Sequence, residues 1–318
     1  MRRFEEFMTS AVGAQYNEEG KLELFMPELP EVETIARGLD RKLKGDVIAS
    51  IWLGSKPEPL KSSAMEIVEA VQSKRIVRVR RVGKHIVFDL EKTVVGRGAS
   101  TAKPEISRAR RSKSMPLHDR CRSQWIVHLG MTGRMLVCDP DQEIPRHTHA
   151  IARLASGWEL RFVDPRRFGR LSVTDGFEAP GFEPLEVALE RFVNLFRGRQ
   201  TPIKSALLNQ KLLSGVGNIY ADEALFRAGI RPRRRAAALG KESLRRLYLA
   251  LQEVLKEAIA LGGSSVADYV NSSGDQGFFQ LGHRVYGREY APCLVCRTPI
   301  KRLVIAGRSS HYCPKRQK

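Results

Sequence analysis

Residues Met26–Thr34 put a proline directly after a methionine, with Glu28, Glu31 and Glu33 close behind. If translation begins at Met26 and the methionine is removed, Pro27 carries a free secondary amine. An α-amino group titrates near pH ~8, so a fair fraction is unprotonated at neutral pH. A secondary amine that attacks a carbonyl-like carbon gives an iminium directly and splits a hard displacement into two easier steps. Glu28, next in the chain, is placed to shuttle protons. Structurally, the same residues open a helix, with Pro30 in its first turn.

Other groups with chemical potential are scattered along the chain. Lys84, in Arg-Val-Gly-Lys-His, lies where one basic strand ends and an apolar one begins. Met131 is flanked by glycines in His128-Leu-Gly-Met-Thr-Gly-Arg134, and Arg166 and Phe168 sit in Asp164-Pro-Arg-Arg-Phe-Gly169. Gly215-Val216-Gly217-Asn218 lets backbone approach closely and offers helix amides to an anion. Cys293-x2-Cys296, sixteen residues, then Cys313 is three quarters of a zinc ribbon. A structural zinc takes four tetrahedral ligands. The expected fourth position holds Arg316, and His311 is the nearest substitute.

The elements that must carry these groups fall into two regimes. From Pro30 to about Lys44 the apolar residues Val32, Ile35, Ala36, Leu39 and Leu43 have helical spacing, and Gly45 closes the helix. Short apolar or alternating runs follow at Val47–Leu53, Ile76–Val82, His85–Leu90, Trp125–Leu129, Ala150–Leu154 and Trp158–Val163, which predict a β-sandwich or barrel. Residues 176–184, rich in Gly and Pro, read as a linker. Beyond it, apolar stripes predict helices, the longest from Leu244 to Ile259 and stopped by Gly262-Gly263. The paired cysteines mark a small terminal unit.

Composition narrows the partners. The chain has 318 residues, with 54 Lys plus Arg against 35 Asp plus Glu, a net charge of +19. Such a surplus favours a polyanion, because each neutralised phosphate releases counterions. No run of about 18 apolar residues exists, so no membrane-spanning helix is expected. Residues 1–25 lack the apolar stretch of a signal peptide and read as an extension upstream of the true start. The few cysteines suggest a reduced, cytoplasmic setting. Residues 97–122 hold eight basic side chains and two acidic ones, a solvated insertion or an extra DNA-tracking arm.

The Met-Pro-Glu-Leu-Pro-Glu-Val-Glu-Thr stretch, the Val-Gly-Asn-Ile-Tyr run and the Asp-Pro-Arg-Arg-Phe-Gly loop together resemble the bacterial formamidopyrimidine-DNA glycosylases, repair enzymes that excise oxidised purines. The likeness runs from Met26 to the C-terminus, broken by the basic insertion, where the family has a tight turn. It implies an α+β protein: a catalytic β-sandwich domain with flanking helices over 26–175 with the insertion at 92–123, a linker at 176–184, a helix–two-turn–helix domain over 185–282, and a zinc-ribbon-like β-hairpin over 283–318. It implies catalysis by Pro27 and Glu28, with Lys84 near the sugar and its phosphate, Arg308 at the lesion phosphates and Glu223 facing the active site. His147, Arg199, Lys204 and Asn218 match DNA contacts. Met131, Arg166 and Phe168 match the trio that fills the void left by an everted nucleotide. Cys293, Cys296 and Cys313 match zinc ligands, with Arg316 a departure from the pattern. Asn271–Phe279 resembles the loop that closes over the everted base.

The implied reaction is excision of 8-oxoguanine or formamidopyrimidines from double-stranded DNA, followed by β- and δ-elimination, by a monomer holding one Zn2+. Two alternatives stand beside it. One is an oxidised-pyrimidine glycosylase similar to endonuclease VIII, which tends to have glycine where Leu29 stands. The other is a damage-binding protein without lyase activity, should Pro27 remain an internal amide.

Overall fold

The computed structural model describes residues 26–93, 122–264 and 277–318. The extension 1–25, most of the basic insertion and residues 271–276 of the polar loop lie outside the described residues. Helix α1 (Leu29–Leu43) opens the described chain, with Pro30 in its first turn. Its apolar stripe of Val32, Ile35, Ala36, Leu39 and Leu43 is buried, as the helical period requires.

Eight antiparallel strands follow: β1 (Val47–Leu53), β2 (Lys74–Val82), β3 (His85–Lys92), β4 (Arg122–His128), β5 (Arg134–Cys138), β6 (Thr148–Leu154), β7 (Glu159–Val163) and β8 (Arg170–Thr174). Their order is β5-β7-β6-β1-β2-β3-β4-β8. The middle of this order is its weak point, because β1 meets β2 only at Val47 with Arg75 and Ile48 with Lys74. Four strands therefore lie on each side of a short seam. Both halves contribute to one core, with Ile48, Ala152, Leu160 and Phe162 on one side and Ile76, Phe88, Trp125 and Leu171 on the other. This is the sandwich solution to burying two sheet faces. Helix α2 (Ala64–Val71) starts at Ser63, whose side chain caps the Glu66 N–H. Strands β3 and β4 reach Lys92 and Arg122, so both ends of the expected insertion are paired strand.

After β8 the chain becomes helical: α3 (Leu189–Phe196), α4 (Ile203–Leu207), α5 (Asn218–Ala228) and α6 (Lys241–Ala260). These pack a second core through Phe192, Phe196, Leu207, Tyr220, Leu225, Leu247 and Leu251, and Leu29 of α1 joins it. The hairpin β9 (Lys301–Ile305) and β10 (Arg308–Tyr312) ends the chain over a small cluster of Phe226, Val285, Cys293, Ile300 and Cys313. Among the described residues no helix is long and apolar enough to cross a membrane.

Candidate active site and nucleic-acid interface

Four of the chain segments that line one cavity of about 620 Å³, between the sandwich and the helical unit, carry the residues of chemical interest. The first is the start of α1, contributing Met26 and Glu28, with Pro27 half-buried between them. The second is the β2–β3 turn. Val82 pairs with His85, so only Gly83 and Lys84 lie between the strands. Gly83 has φ +61, as a two-residue hairpin with glycine first requires, and Lys84 is delivered to the cavity wall. The third is the β9–β10 turn, where Ala306 and Gly307 both adopt positive φ. That twist brings Arg308 to the opposite wall. The fourth is Ser214–Asn218, the entry to α5.

The fourth segment grips the first. The Leu29 N–H donates to the Gly215 carbonyl at 3.0 Å, and the Ile219 N–H points at Glu28 Oε1 at 3.4 Å. A Cβ on Gly217 would lie 1.9 Å from the Glu28 carboxyl carbon, so glycine is needed for this approach. Glu28 is 6% exposed, and its Oε2 has no hydrogen-bond partner. Burial raises its pKa from 4.5 to about 7, with Lys84 pulling it down and Glu31 pushing it further up. Burial lowers Lys84, and Arg308 lowers it further, while Glu28 opposes both. A carboxyl balanced near neutrality can both give and take a proton.

The three leading glutamates have separate roles. Glu31 is buried and accepts from the Glu28 N–H at 2.9 Å, the Ser264 N–H at 2.7 Å and the Tyr220 hydroxyl. It latches the start of α1 to α5 and to the end of α6. Glu33 binds Arg37 at 2.7 Å and Arg81 at 2.8 Å, and Arg81 continues to Glu183 at 2.8 Å.

Asp164 organises a second set of residues. Its carboxylate accepts from the Thr132 hydroxyl at 2.5 Å, the Arg166 N–H at 3.3 Å and the Gly169 N–H at 2.7 Å. Its own N–H donates to the His147 carbonyl at 3.0 Å. The loops bearing Met131, His147, Arg166 and Phe168 are thus joined at one buried residue, Asp164. Phe168 is 49% exposed, with the Arg166 guanidinium 5.1 Å from its ring centroid. Met131 is half-buried and His147 is exposed. An exposed aromatic held on a braced loop suits a wedge better than a core residue.

Several expected site residues are placed elsewhere. Lys204 is fully buried, paired with Asp222 at 2.7 Å and donating to the Ser309 carbonyl at 2.5 Å. These contacts dock the Arg308 hairpin onto α5, and the His311 N–H binds the other Asp222 oxygen at 2.8 Å. Glu223 is also fully buried, accepting from the N–H groups of Arg284, Val285 and Tyr286 at 2.9–3.0 Å. It is absent from the cavity wall, and burial raises its pKa. Arg199 is exposed outside the cavity, with Nε donating to the Leu195 carbonyl at 2.5 Å. Asn218 does line the cavity, with Nδ2 3.3 Å from Ser309 Oγ and a buried Oδ1 lacking a partner.

The sequence reading gave no role to Glu31, Tyr220, Asp164, His85 or His128. Glu31 had a signal, being three residues after the helix cap. His85 and His128 line the cavity with ring centroids 4.9 Å apart. Burial lowers both, His128 to about 4, so they present neutral rings at neutral pH.

The sulfurs of Cys293, Cys296 and Cys313 all lie within 4.8 Å of one another, with Cys296 and Cys313 at 3.4 Å. Tetrahedral zinc with ~2.3 Å bonds needs sulfurs about 3.8 Å apart, so three vertices fit. His311 is not a fourth donor, because neither of its ring nitrogens joins the three sulfurs in the cluster; its Nδ1 lies 3.6 Å from Asp222 Oδ2.

Three family models account for this arrangement. The formamidopyrimidine-DNA glycosylase N-terminal domain matches residues 26–171, the H2TH domain of the same enzyme 180–270, and a zinc finger found in these enzymes and isoleucyl-tRNA synthetase 292–315. The formamidopyrimidine-DNA glycosylase of Solibacter usitatus is 40% identical over 304 residues, covering 92% of this chain and 100% of that one. The enzyme named so in Paracoccus denitrificans is 38% identical, covering 91% and 99%. The crystal structure of the MutM (Fpg) protein of Thermus thermophilus superposes with a TM-score of 0.73 at 38% identity, covering 92% and 98%. A Lactococcus lactis Fpg mutant bound to Fapy-dG containing DNA superposes with a TM-score of 0.76 at 28% identity, covering 92% and 100%. The chain therefore belongs to the formamidopyrimidine-DNA glycosylase family of DNA-repair enzymes.

Proposed function

We propose that this chain excises oxidised purines, 8-oxoguanine and formamidopyrimidines, from duplex DNA and then cleaves the abasic strand through a Pro27 iminium. The observation that carries the reading is the meeting of Glu28, Lys84 and Arg308 around one cavity beside Pro27. The amine must be free, whereas in the 318-residue chain the Pro27 nitrogen is bonded to Met26. Chemistry therefore requires that the Met26–Pro27 bond be cut, as when an initiating Met26 is removed.

With that amine free, its lone pair bonds to C1′ of the damaged nucleotide, and the base leaves with the electrons of the glycosidic bond and takes up the proton that the Pro27 nitrogen releases. Glu28 gives its proton to the sugar ring oxygen as the ring opens, leaving an iminium between Pro27 and C1′. Successive β- and δ-elimination then expel the 3′ and 5′ phosphates, leaving a one-nucleotide gap. Lys84 and Arg308, two cations on opposite walls, stabilise those phosphates. Asn218, on the cavity wall, binds the backbone beside the lesion through its side-chain amide. Phe168, Met131 and Arg166 enter the stack as the base leaves, Arg166 reading the orphaned base through its fork of donors. The protein works as a cytoplasmic monomer. Zn2+ held by Cys293, Cys296 and Cys313 would brace the hairpin that presents Arg308.

A single-turnover panel of duplexes tests the substrate class. The proposal expects 8-oxoguanine and formamidopyrimidine duplexes to be cut faster than thymine glycol or dihydrouracil, with phosphates at both new ends. Faster cutting of the oxidised pyrimidines, or strands with intact abasic sites, would contradict it.

A further inference from the structure

We propose that the C-terminal metal centre of this chain is a three-thiolate site whose fourth position is open to an exchangeable ligand from solvent. The three sulfurs occupy positions that a tetrahedral ion can share, and no fourth His, Cys, Asp or Glu joins them among the described residues. Residue 316, which follows Cys313 at the spacing of Cys293 and Cys296, is Arg. A guanidinium stays protonated and has no lone pair to donate to a metal. Arg316 is exposed and lies over the Phe226 ring, 5.8 Å from its centroid. His311 is turned to Asp222. Gln317 is used on both sides, with Oε1 accepting from the Cys313 N–H at 2.8 Å and Nε2 donating to the Ile230 carbonyl at 2.8 Å.

Charge also favours the arrangement. Zn2+ with three thiolates carries one net negative charge, which the neighbouring Arg316 can offset. The hairpin itself does not need a fourth ligand, because Lys204 and Asp222 hold Ser309 and His311 from the other side. Removing one ligand thus makes the ion easier to reach and easier to lose without detaching Arg308. An added soft ligand, a small thiol above all, can complete the shell.

The test uses the purified full chain loaded with Co2+ in place of zinc, read by its visible absorption and independent of glycosylase activity. The expected spectrum is that of three sulfurs with one oxygen donor, moving to a four-sulfur spectrum when 2-mercaptoethanol is added. Arg316→Cys should show the four-sulfur spectrum from the start and ignore the added thiol. Outer partners of a metal ligand are worth about 10–100-fold in affinity, so a fourth thiolate should slow zinc loss to a chromogenic chelator at least about tenfold. A wild-type spectrum that equals that of Arg316→Cys and ignores thiol would overturn the proposal by revealing a fourth protein donor. Wild-type protein that takes up neither Co2+ nor zinc, checked by intact mass under native conditions, would overturn it as well.

Discussion

Replacing Glu28 by Gln separates what the carboxylate does for catalysis from what it costs the fold. Burial raises the Glu28 pKa from 4.5 to about 7. Because the folded value lies above the unfolded one, the folded protein retains a proton that the unfolded chain has released between pH 4.5 and 7. The stability tied to Glu28 is therefore highest below 4.5, falls through that window, and stays low above it. At 1.36 kcal/mol per pKa unit, the full penalty is about 3 kcal/mol. Glu28→Gln keeps the shape and removes the charge, so it should gain stability over wild type as pH rises. The attraction of Lys84 is already contained in that raised value, so the gain of Glu28→Gln over wild type between pH ~5 and ~8.5 is about 2.5 kcal/mol. Urea unfolding followed by tryptophan fluorescence is the assay, since Trp125 is fully buried in the sandwich core. The raised carboxyl of Glu223 is common to both proteins and cancels, whereas the repulsion between Glu28 and Glu31 is removed with the Glu28 charge and belongs to the measured difference. If Glu28→Gln were no more stable than wild type at pH ~8.5, or gained equally at pH ~5, the burial argument would be refuted.

Gly217→Ala puts a methyl group 1.9 Å from the Glu28 carboxyl carbon; overpacking should cost about 1–3 kcal/mol. Displacing Glu28 by an ångström should slow single-turnover base excision about 100-fold. Lys204→Met strands Asp222 as a buried charge, so melting should show a loss of about 3–5 kcal/mol. Its duplex affinity should keep the wild-type salt dependence, whereas a phosphate-binding lysine would lower the slope by about one. Glu223→Ala leaves three N–H groups without an acceptor and should cost at least about 3 kcal/mol. The refolded enzyme should keep its pH–rate profile, which a catalytic carboxyl would not allow.

How much of this was legible in sequence depended on whether the signal was local. The α1 stripe and β1 were readable from periodicity because each residue's face follows from its own neighbours. Strands β5 and β8 were not, because they adjoin the glycine-rich motifs that drew attention to their loops. Helix α2 had a signal in Ser63 and Glu66, a capping box. The site divided along the same line. Lys84 and Arg308 sit at tight turns whose glycines are visible in the chain, so their exposure to a cavity could be anticipated. Lys204 and Glu223 look like any surface lysine and helical glutamate. Their partners, Asp222 with Ser309 and the amides of 284–286, become neighbours only when the hairpin docks on α5. A buried charge is defined by its partner, and for both the partner lies outside the local pattern. Asp164 escaped notice for the same reason, since the loops it joins are apart in sequence.

The central claim is that Pro27 supplies the nucleophile. The direct measurement is borohydride trapping of the protein, expressed from its own upstream region, on a duplex containing 8-oxoguanine, followed by intact mass and peptide mapping of the adduct. The account predicts a covalent adduct whose protein part begins at Pro27, with the sugar remnant on its nitrogen. An adduct mapping to Lys84 or another lysine, or bound full-length protein with no adduct at all, would contradict it.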